Sequence, residues 1–418
     1  MNFLTDSSRR TRQRLALASL TALALSFTGL PVAEASRHAK KTTEAPAPAP
    51  APKIPEQANP LSPVSPPAVA AKAWLLMDYG SGQVLASQNP DERIEPASLT
   101  KLMTAYLTFS AVKGGSLALD QVIPVSEKAW KTSGSRMFVQ PGRPVTVHEL
   151  MHGMIIQSGN DACVALAEAI AGSEEAFAQM MTREAARLGM KNTRFQNATG
   201  LTVNEHYTTV RDLGLLAAAI VRDFPEFYPI YGKRDYTYNR ITQPNRNRLL
   251  GMDASVDGMK TGHTDAAGFN LVASAKREQR RLISVVVGTA SDVVRAEESE
   301  KLLNYGFQAF ESVKVYSKGQ AVSRLPVWRG QADTVAGGFN EDFVISLPKG
   351  QAARLRADAF SRETVSAPVQ RGVPVGTLRL MLDGKVYGEY PLLAQEEVPQ
   401  AGWLGRTLDD FKLWIKSF

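Results

Sequence analysis

A chain of 418 residues, 44% hydrophobic and 21% charged, has the length for two or three domains and the make-up of a globular protein, which excludes a disordered or collagen-like chain. Its net charge of +7 is a mild excess, and no Lys/Arg run is interleaved with aromatics, so nothing in the balance calls for a nucleic-acid partner. Cys163 is the only cysteine, which excludes an intramolecular disulfide, and His38, His148, His152, His206 and His263 show no metal-ligand spacing, so neither a metal nor a cofactor is expected.

The first segment reads as an address. Arg9, Arg10, Arg12 and Arg14 precede an apolar run from Leu15 to Leu30 that ends in small residues at Ala33-Glu34-Ala35, so residues 1–35 form a cleaved secretory signal. A membrane anchor is the alternative, but Ser and Thr interrupt the run and a small-x-small site follows it. Without the four arginines, Asp6 and Glu34 the net charge is +5, and an exported basic protein meets anionic membrane or wall surfaces. Residues 36–70, with "APAPAPAPKIPEQANPLSPVSPP", carry no helical or strand period and predict an extended tether.

Two apolar runs around Gly80-Ser81-Gly82 then predict a β-hairpin over residues 73–90. Pro96-Ala97-Ser98 opens a helical pattern carried by Leu99, Leu102, Met103, Tyr106 and Leu107, which ends at Gly114-Gly115. Further helices are expected over 148–157, 161–171, 174–188, 210–223 and 292–310, and "FNLVASAK" and "RLISVVVGTA" read as buried antiparallel strands. From about 313 to 397 short alternating segments separated by Gly, Pro and Asp-Gly predict a small all-β domain. Over residues 398–418, Leu404, Leu408, Phe411, Ile415 and Phe418 recur at steps of four and three beside Trp403 and Trp414, which makes an amphipathic helix. Arg406, Lys412 and Lys416 suit a helix lying on a bilayer surface, while Asp409-Asp410 and the length exclude a span; packing on the β domain is the alternative.

Chemistry is concentrated in three short strings. Ser-x-x-Lys alone is weak, because Ser110–Lys113 and Ser346–Lys349 share the spacing of Ser98–Lys101. Placement separates them: only Ser98 follows a proline-led helix start, where backbone N–H groups lack partners and one is available to an oxyanion. Lys101 then falls on the same face one turn later, where a neutral amine takes the Ser98 proton once burial and neighbouring cations lower its pKa. Ser158-Gly159-Asn160 sits on a tight turn between helical runs, and Lys260-Thr261-Gly262 precedes strand-like sequence with a cation and a hydroxyl suited to a carboxylate.

These motifs in this order resemble the penicillin-recognising serine enzymes. The strings "PASLTKLMT", "IQSGNDACVALAE" and "VDGMKTGHTDAAGFNLVASA" are similar to low-molecular-mass penicillin-binding proteins that act as D-alanyl-D-alanine carboxypeptidases, from about residue 70 to the C-terminus. The resemblance implies an α/β (α+β) transpeptidase/β-lactamase-like domain, antiparallel sheet with helices, over 71–312, and an all-β domain over 313–397. It implies that Ser98 attacks the carbonyl between two D-alanines of a peptidoglycan stem peptide, with Lys101 as base and Ser158 relaying a proton to the leaving group. Asn160 would hold the substrate amide, Lys260 the electrostatics around Ser158, Thr261 the terminal carboxylate, and the N–H groups of Ser98 and His263 the oxyanion; Gly262 gives the substrate backbone access. Arg246 and Arg295 match basic positions near the family's cleft, with solvated surface arginines as the bland alternative. Stem peptides and the inner-membrane surface are the implied partners, β-lactams the inhibitors, and the periplasmic outer face of the inner membrane the location. A β-lactamase is the near rival, but its Glu-x-x-Leu-Asn belongs between the second and third motifs, and the similar "ESEKLLN" lies at 298–304, after Lys260. D-alanyl endopeptidase action is a second rival that the motifs do not exclude, whereas a wall-binding scaffold with a vestigial site is opposed by their being intact. Cys163 is expected to be a buried helical residue near the site.

Overall fold

The computed structural model describes residues 65–361 and 364–403; the signal, all but the end of the tether, and the tail from 404 onward lie outside the described residues. The expected hairpin is present as β1 (Ala73–Asp78) and β2 (Val84–Gln88). Beyond it a 3-10 turn, Ala97–Thr100, leads into α1 (Lys101–Lys113), so Ser98 lies in a tighter turn ahead of the α-helix that the apolar spacing predicts. A short ribbon of β3 (Val122–Ile123) and β4 (Val145–Thr146) encloses α2 (Glu127–Lys131), and four longer helices follow: α3 (Val147–Ile155), α4 (Asn160–Ala171), α5 (Glu174–Arg187) and α6 (Val210–Asp223).

Local chemistry sets most of these boundaries. Thr146 and Glu149 form a reciprocal capping box at α3, and the side chains of Ser173 and Thr209 accept from backbone N–H groups at the starts of α5 and α6. Gly172, with φ of 78°, ends α4 in the left-handed region that glycine adopts without steric penalty.

An exposed hairpin of β5 (Asp235–Tyr238) and β6 (Ile241–Pro244), which the sequence pattern does not anticipate, comes next, then the single turn α7 (Leu249–Met252). The long strands β7 (Val256–Thr264), β8 (Gly268–Arg277) and β9 (Arg280–Thr289) lead to α8 (Asp292–Ala309), capped by Ser291. Lys260-Thr261-Gly262 therefore lies within a strand rather than ahead of one.

These strands form one antiparallel sheet in the order β2-β1-β9-β8-β7, with β7 at an edge. Alternate residues serve two cores: Leu75, Met77, Val272 and Val285 face α1 and α3–α6, while Trp74, Leu76, Leu271 and Val286 pack with Leu302 and Leu303 of α8. A sheet covered on both faces needs apolar residues at both parities, which is why these strands read as unbroken hydrophobic runs.

After α8 the described chain is β structure apart from a 3-10 turn at Ala352–Arg354. Phe310–Tyr316 pairs with Phe343–Pro348, and a six-stranded sheet runs in the order Leu355–Phe360, Pro374–Leu382, Lys385–Ala394, Thr334–Gly338, Ala321–Trp328, Val365–Ser366 around its own core, with Leu378, Leu380 and Leu392 at its centre. The two parts are clasped at the β1–β2 turn. Asp78, 1% exposed, accepts from Arg280 Nε at 2.8 Å and Ser312 Oγ at 2.6 Å, and Gln83 Oε1 accepts from the Ser346 N–H at 2.6 Å. Ser346 thus belongs to this clasp, as Ser110–Lys113 belongs to the end of α1, and neither pair approaches the first motif.

Candidate active site

The three motifs converge where the 3-10 turn, the α3–α4 turn and the edge strand β7 meet. Ser98 alone in its turn keeps partial exposure, since Ala97, Leu99 and Thr100 are buried. Ala97 just before it has φ of 47°, and Ser158 has φ of 59°. Left-handed backbone in residues with a Cβ costs about 1–3 kcal/mol and persists only where surrounding packing holds it. Both strained positions therefore aim a serine hydroxyl at the cleft.

Lys101 Nζ is 3.0 Å from Ser98 Oγ, 2.7 Å from Asn160 Oδ1 and 2.6 Å from the Thr199 carbonyl oxygen. At 1% exposure the amine has little solvent, and burial pulls its pKa below the ordinary lysine range, with the Arg246 guanidinium acting in the same direction. Cys163, buried as expected on α4, donates its S–H to the Gly159 carbonyl at 3.1 Å; burial pushes the thiol up to about 12, so it brings no anion to the site. A second pair lies beside the first: Lys260 Nζ donates to Ser158 Oγ at 3.0 Å and to its neighbour's carbonyl, Thr261 O, at 3.0 Å. Lys260 is held well below the lysine range by burial first, then by the Lys101 and Arg246 charges.

Asn160 is oriented by its other end, because Nδ2 donates to the Ser133 carbonyl at 2.7 Å and so turns Oδ1 toward Lys101. Asp161, next in the chain and fully buried, accepts from the backbone N–H groups of Met137, Phe138 and Val139, which locks the 133–139 loop onto the start of α4. At Gly262 a Cβ would stand 3.1 Å from the Pro96 carbonyl oxygen and 3.3 Å from the Leu99 nitrogen, so the missing side chain lets β7 lie against the turn that carries Ser98. Thr261 is buried on the same strand, and the exposed His263 packs its ring against Phe269, tilted by 33° with centroids 4.0 Å apart.

The two arginines diverge. Arg295, 6% exposed, is no solvated surface residue: it donates to the Gly262 and Arg246 carbonyl oxygens, each at 3.3 Å, and burial lowers its pKa to about 10. Arg246 is exposed at the rim, its backbone held by Arg295. The "ESEKLLN" string lies on α8, with Leu302 and Leu303 in the core on that side of the sheet.

Sequence reasoning missed the Thr199 carbonyl, Ser133 and the Asp161 anchor. Asn197-Ala198-Thr199-Gly200 announces a turn, and Asp161 follows a motif residue directly. No spacing rule tells which backbone carbonyl a remote loop presents to a lysine.

A partly exposed serine paired with a buried lysine, beside a second, buried Ser–Lys pair and set between helices and the edge of an antiparallel sheet, defines a serine enzyme of the penicillin-binding class. A family model described as D-alanyl-D-alanine carboxypeptidase matches residues 61–291, and one described as penicillin-binding protein 5, C-terminal domain, matches 310–400. The chain belongs to the D-alanyl-D-alanine carboxypeptidase family and is a serine-type D-Ala-D-Ala carboxypeptidase. It is 43% identical over 367 residues to D-alanyl-D-alanine carboxypeptidase DacC of Escherichia coli, covering 85% of this chain and 92% of that one. Penicillin binding protein 5 from Haemophilus influenzae matches with a TM-score of 0.77 at 40% identity, over 81% of this chain and 100% of that one. Penicillin-Binding Protein D2 from Listeria monocytogenes, solved in its ampicillin-bound form, matches with a TM-score of 0.53 at 32% identity, over 57% of this chain and 98% of that one.

Proposed function

We propose that Ser98 is the nucleophile that cleaves the terminal D-alanine from peptidoglycan pentapeptide stems, with Lys101 as its base. The surroundings of Lys101 carry this reading. The Asn160 Oδ1 and Thr199 carbonyl oxygens only accept, so they engage both N–H bonds of a neutral amine and leave its lone pair facing Ser98 Oγ. Burial makes that neutral form accessible.

As Ser98 Oγ attacks the carbonyl between the two D-alanines, its proton passes to Lys101. The N–H groups of Ser98, in a turn without a side-chain cap, and of His263 stabilise the oxyanion. Collapse of the tetrahedral species breaks the C–N bond, and Ser158, held by Lys260, relays the proton from Lys101 to the departing amine, taking one up as it gives one away, so that Lys101 is neutral again. Thr261 binds the terminal carboxylate with Lys260 and the rim guanidinium of Arg246 nearby, while Arg295 supports the strand from behind. Asn160 Oδ1 has a second lone pair for a substrate N–H, and Gly262 keeps the strand edge close to the nucleophile. Water then attacks the Ser98 ester as Lys101 again takes the proton, and the ester C–O bond breaks as Lys101 returns that proton to Ser98 Oγ, releasing the shortened peptide.

A penicillin follows the same first step and stays attached, a reading supported by the ampicillin-bound form of the Listeria relative. The signal-like segment and the amphipathic tail pattern support a periplasmic enzyme attached peripherally to the outer face of the inner membrane. Ser98→Ala is expected to abolish both D-alanine release from a pentapeptide muropeptide, followed by mass spectrometry, and labelling by a fluorescent penicillin. Labelling at the normal rate would overturn the assignment.

A further inference from the structure

The base Lys101 takes one of its two orienting acceptors, the Thr199 carbonyl, from a loop almost a hundred residues away in sequence. That loop, residues 195–207, is closed at its base by reciprocal backbone bonds between Arg194 and Tyr207. Inside it the Asn197 carboxamide oxygen accepts from the N–H groups of Thr199 and Gly200 and from the Thr199 hydroxyl, which sets the Thr199 peptide plane. Three contacts then register the loop against the Ser98–Lys101 segment. Thr104 Oγ1 donates to the Ala198 carbonyl at 2.7 Å, and Gly200, with φ of 86°, lies so close that a Cβ would stand 1.8 Å from the Ala97 carbonyl oxygen.

The third contact is His206, a buried titratable group that the proposed steps do not use. The Gln196 backbone N–H donates to its Nδ1 at 3.1 Å, so a neutral ring carries its proton on Nε2 and donates to Thr100 Oγ1 at 2.9 Å. Thr100 lies between nucleophile and base. The ring packs edge-on against Phe195, is 5% exposed, and is driven by burial to a pKa of about 4, which keeps it neutral at the pH where a lysine base works.

We propose that His206 is a positioning residue for the reaction: by tying the 195–207 loop to Thr100 it aims the Thr199 carbonyl at Lys101 Nζ, and so sets both the direction of the amine lone pair and the pH at which the amine becomes neutral. This rests on Lys101 being the base. A carbonyl acceptor favours the ammonium over the amine, so losing its alignment lowers the Lys101 pKa while leaving the lone pair poorly aimed. The charged and titratable groups around Lys101, Asp161 and Cys163 on α4, Lys260 on β7 and Arg246 at the rim, lie on other elements than this loop and stay in place.

The test compares His206→Phe, which keeps the ring contact with Phe195 but neither hydrogen bond, with His206→Gln, which accepts and donates as the imidazole does. For each, the rate of acylation by a fluorescent penicillin is measured against pH, together with kcat and KM for D-alanine release. His206→Phe is expected to move the midpoint of the acid limb down by about one pH unit and to lower the plateau and kcat about tenfold, with KM within about twofold. His206→Gln restores midpoint and plateau. Should His206→Phe fold poorly, Thr100→Val removes the same bond from the other side and is expected to give the same shift. A folded His206→Phe or Thr100→Val enzyme with an unmoved midpoint overturns the proposal, as does failure of His206→Gln to rescue. If Lys101→Ala is acylated normally, the base assignment itself has failed; if Lys101→Ala is dead and the midpoint in His206→Phe stays put, only the role of His206 has failed.

Discussion

At the scale of single residues the site is built from expensive placements. Lys260 is 3% exposed, and its ammonium is desolvated beside a second lysine, so the folded protein holds its proton more weakly than the unfolded chain does. The unfolded state therefore takes up the extra proton as pH falls below the ordinary lysine value of 10.5, and the penalty on folding grows from there until it is complete below the depressed folded value. Replacing Lys260 by Met removes this penalty while keeping most of the volume. Urea unfolding should show a gain of about 1–2 kcal/mol at pH 7 and a smaller one at pH 10, with carboxypeptidase activity lost. An equal gain at both pH values would count against burial of the charge as its source. Ser98, Lys101, Ser158 and Lys260 were singled out in the sequence because the order of their motifs is rare, even though the Ser-x-x-Lys and Ser-x-Asn spacings recur by chance. Arg295 was named only by its match to a basic position near the family's cleft, since nothing in "VVRAEES" says that its guanidinium turns inward to the Gly262 carbonyl.

Elements decide how closely these groups meet. The sheet presents β7 at its edge, and the 3-10 turn bearing Ser98 lies against it because Gly262 has no side chain. Gly262→Ala places a methyl 3.1 Å from the Pro96 carbonyl oxygen, so the turn must give by a few tenths of an ångström. Displacement of a nucleophile on that scale is expected to lower kcat about tenfold, with stability reduced by no more than about 1–2 kcal/mol; steady-state kinetics and a thermal melt separate the two. Unchanged kcat would show that the strand tolerates the methyl. The helices expected over 148–157, 161–171, 174–188, 210–223 and 292–310 were legible to within two residues, with Thr or Ser caps at the starts of α3, α5, α6 and α8, whereas α1 begins only at Lys101 and the short α2 and α7 were missed. The β5–β6 hairpin was missed because its alternation is short: Tyr236 and Tyr238, which pack on the main core, alternate with Asp235 and Thr237, but the mostly exposed Ile241–Pro244 does not extend the pattern.

For the whole molecule the question is what joins catalysis to location. The clasp of Asp78 with Arg280 and Ser312, extended by Gln83 to Ser346, ties the β sheet to the catalytic sheet on the side of the β1–β2 turn. Val398 is buried in the β core and pairs with Val369, so a truncation that spares this domain begins at residue 404 rather than 398. Removing 404–418 should release the protein from the membrane fraction with kcat unchanged, as cell fractionation and D-alanine release would show; an unchanged membrane fraction would favour a tail packed on protein.

Sequence alone determined the enzyme class and the architecture: a serine-type carboxypeptidase, an antiparallel sheet with helices, and a separate β region, because motif order, caps and hydrophobic period are local properties written along the chain. Tertiary structure decided everything that depends on distance across it. The Thr199 carbonyl reaches Lys101, Asp161 gathers three N–H groups, His206 braces Thr100, and Gly262 yields space to the Ser98 turn, all through contacts between segments whose separation no local pattern encodes.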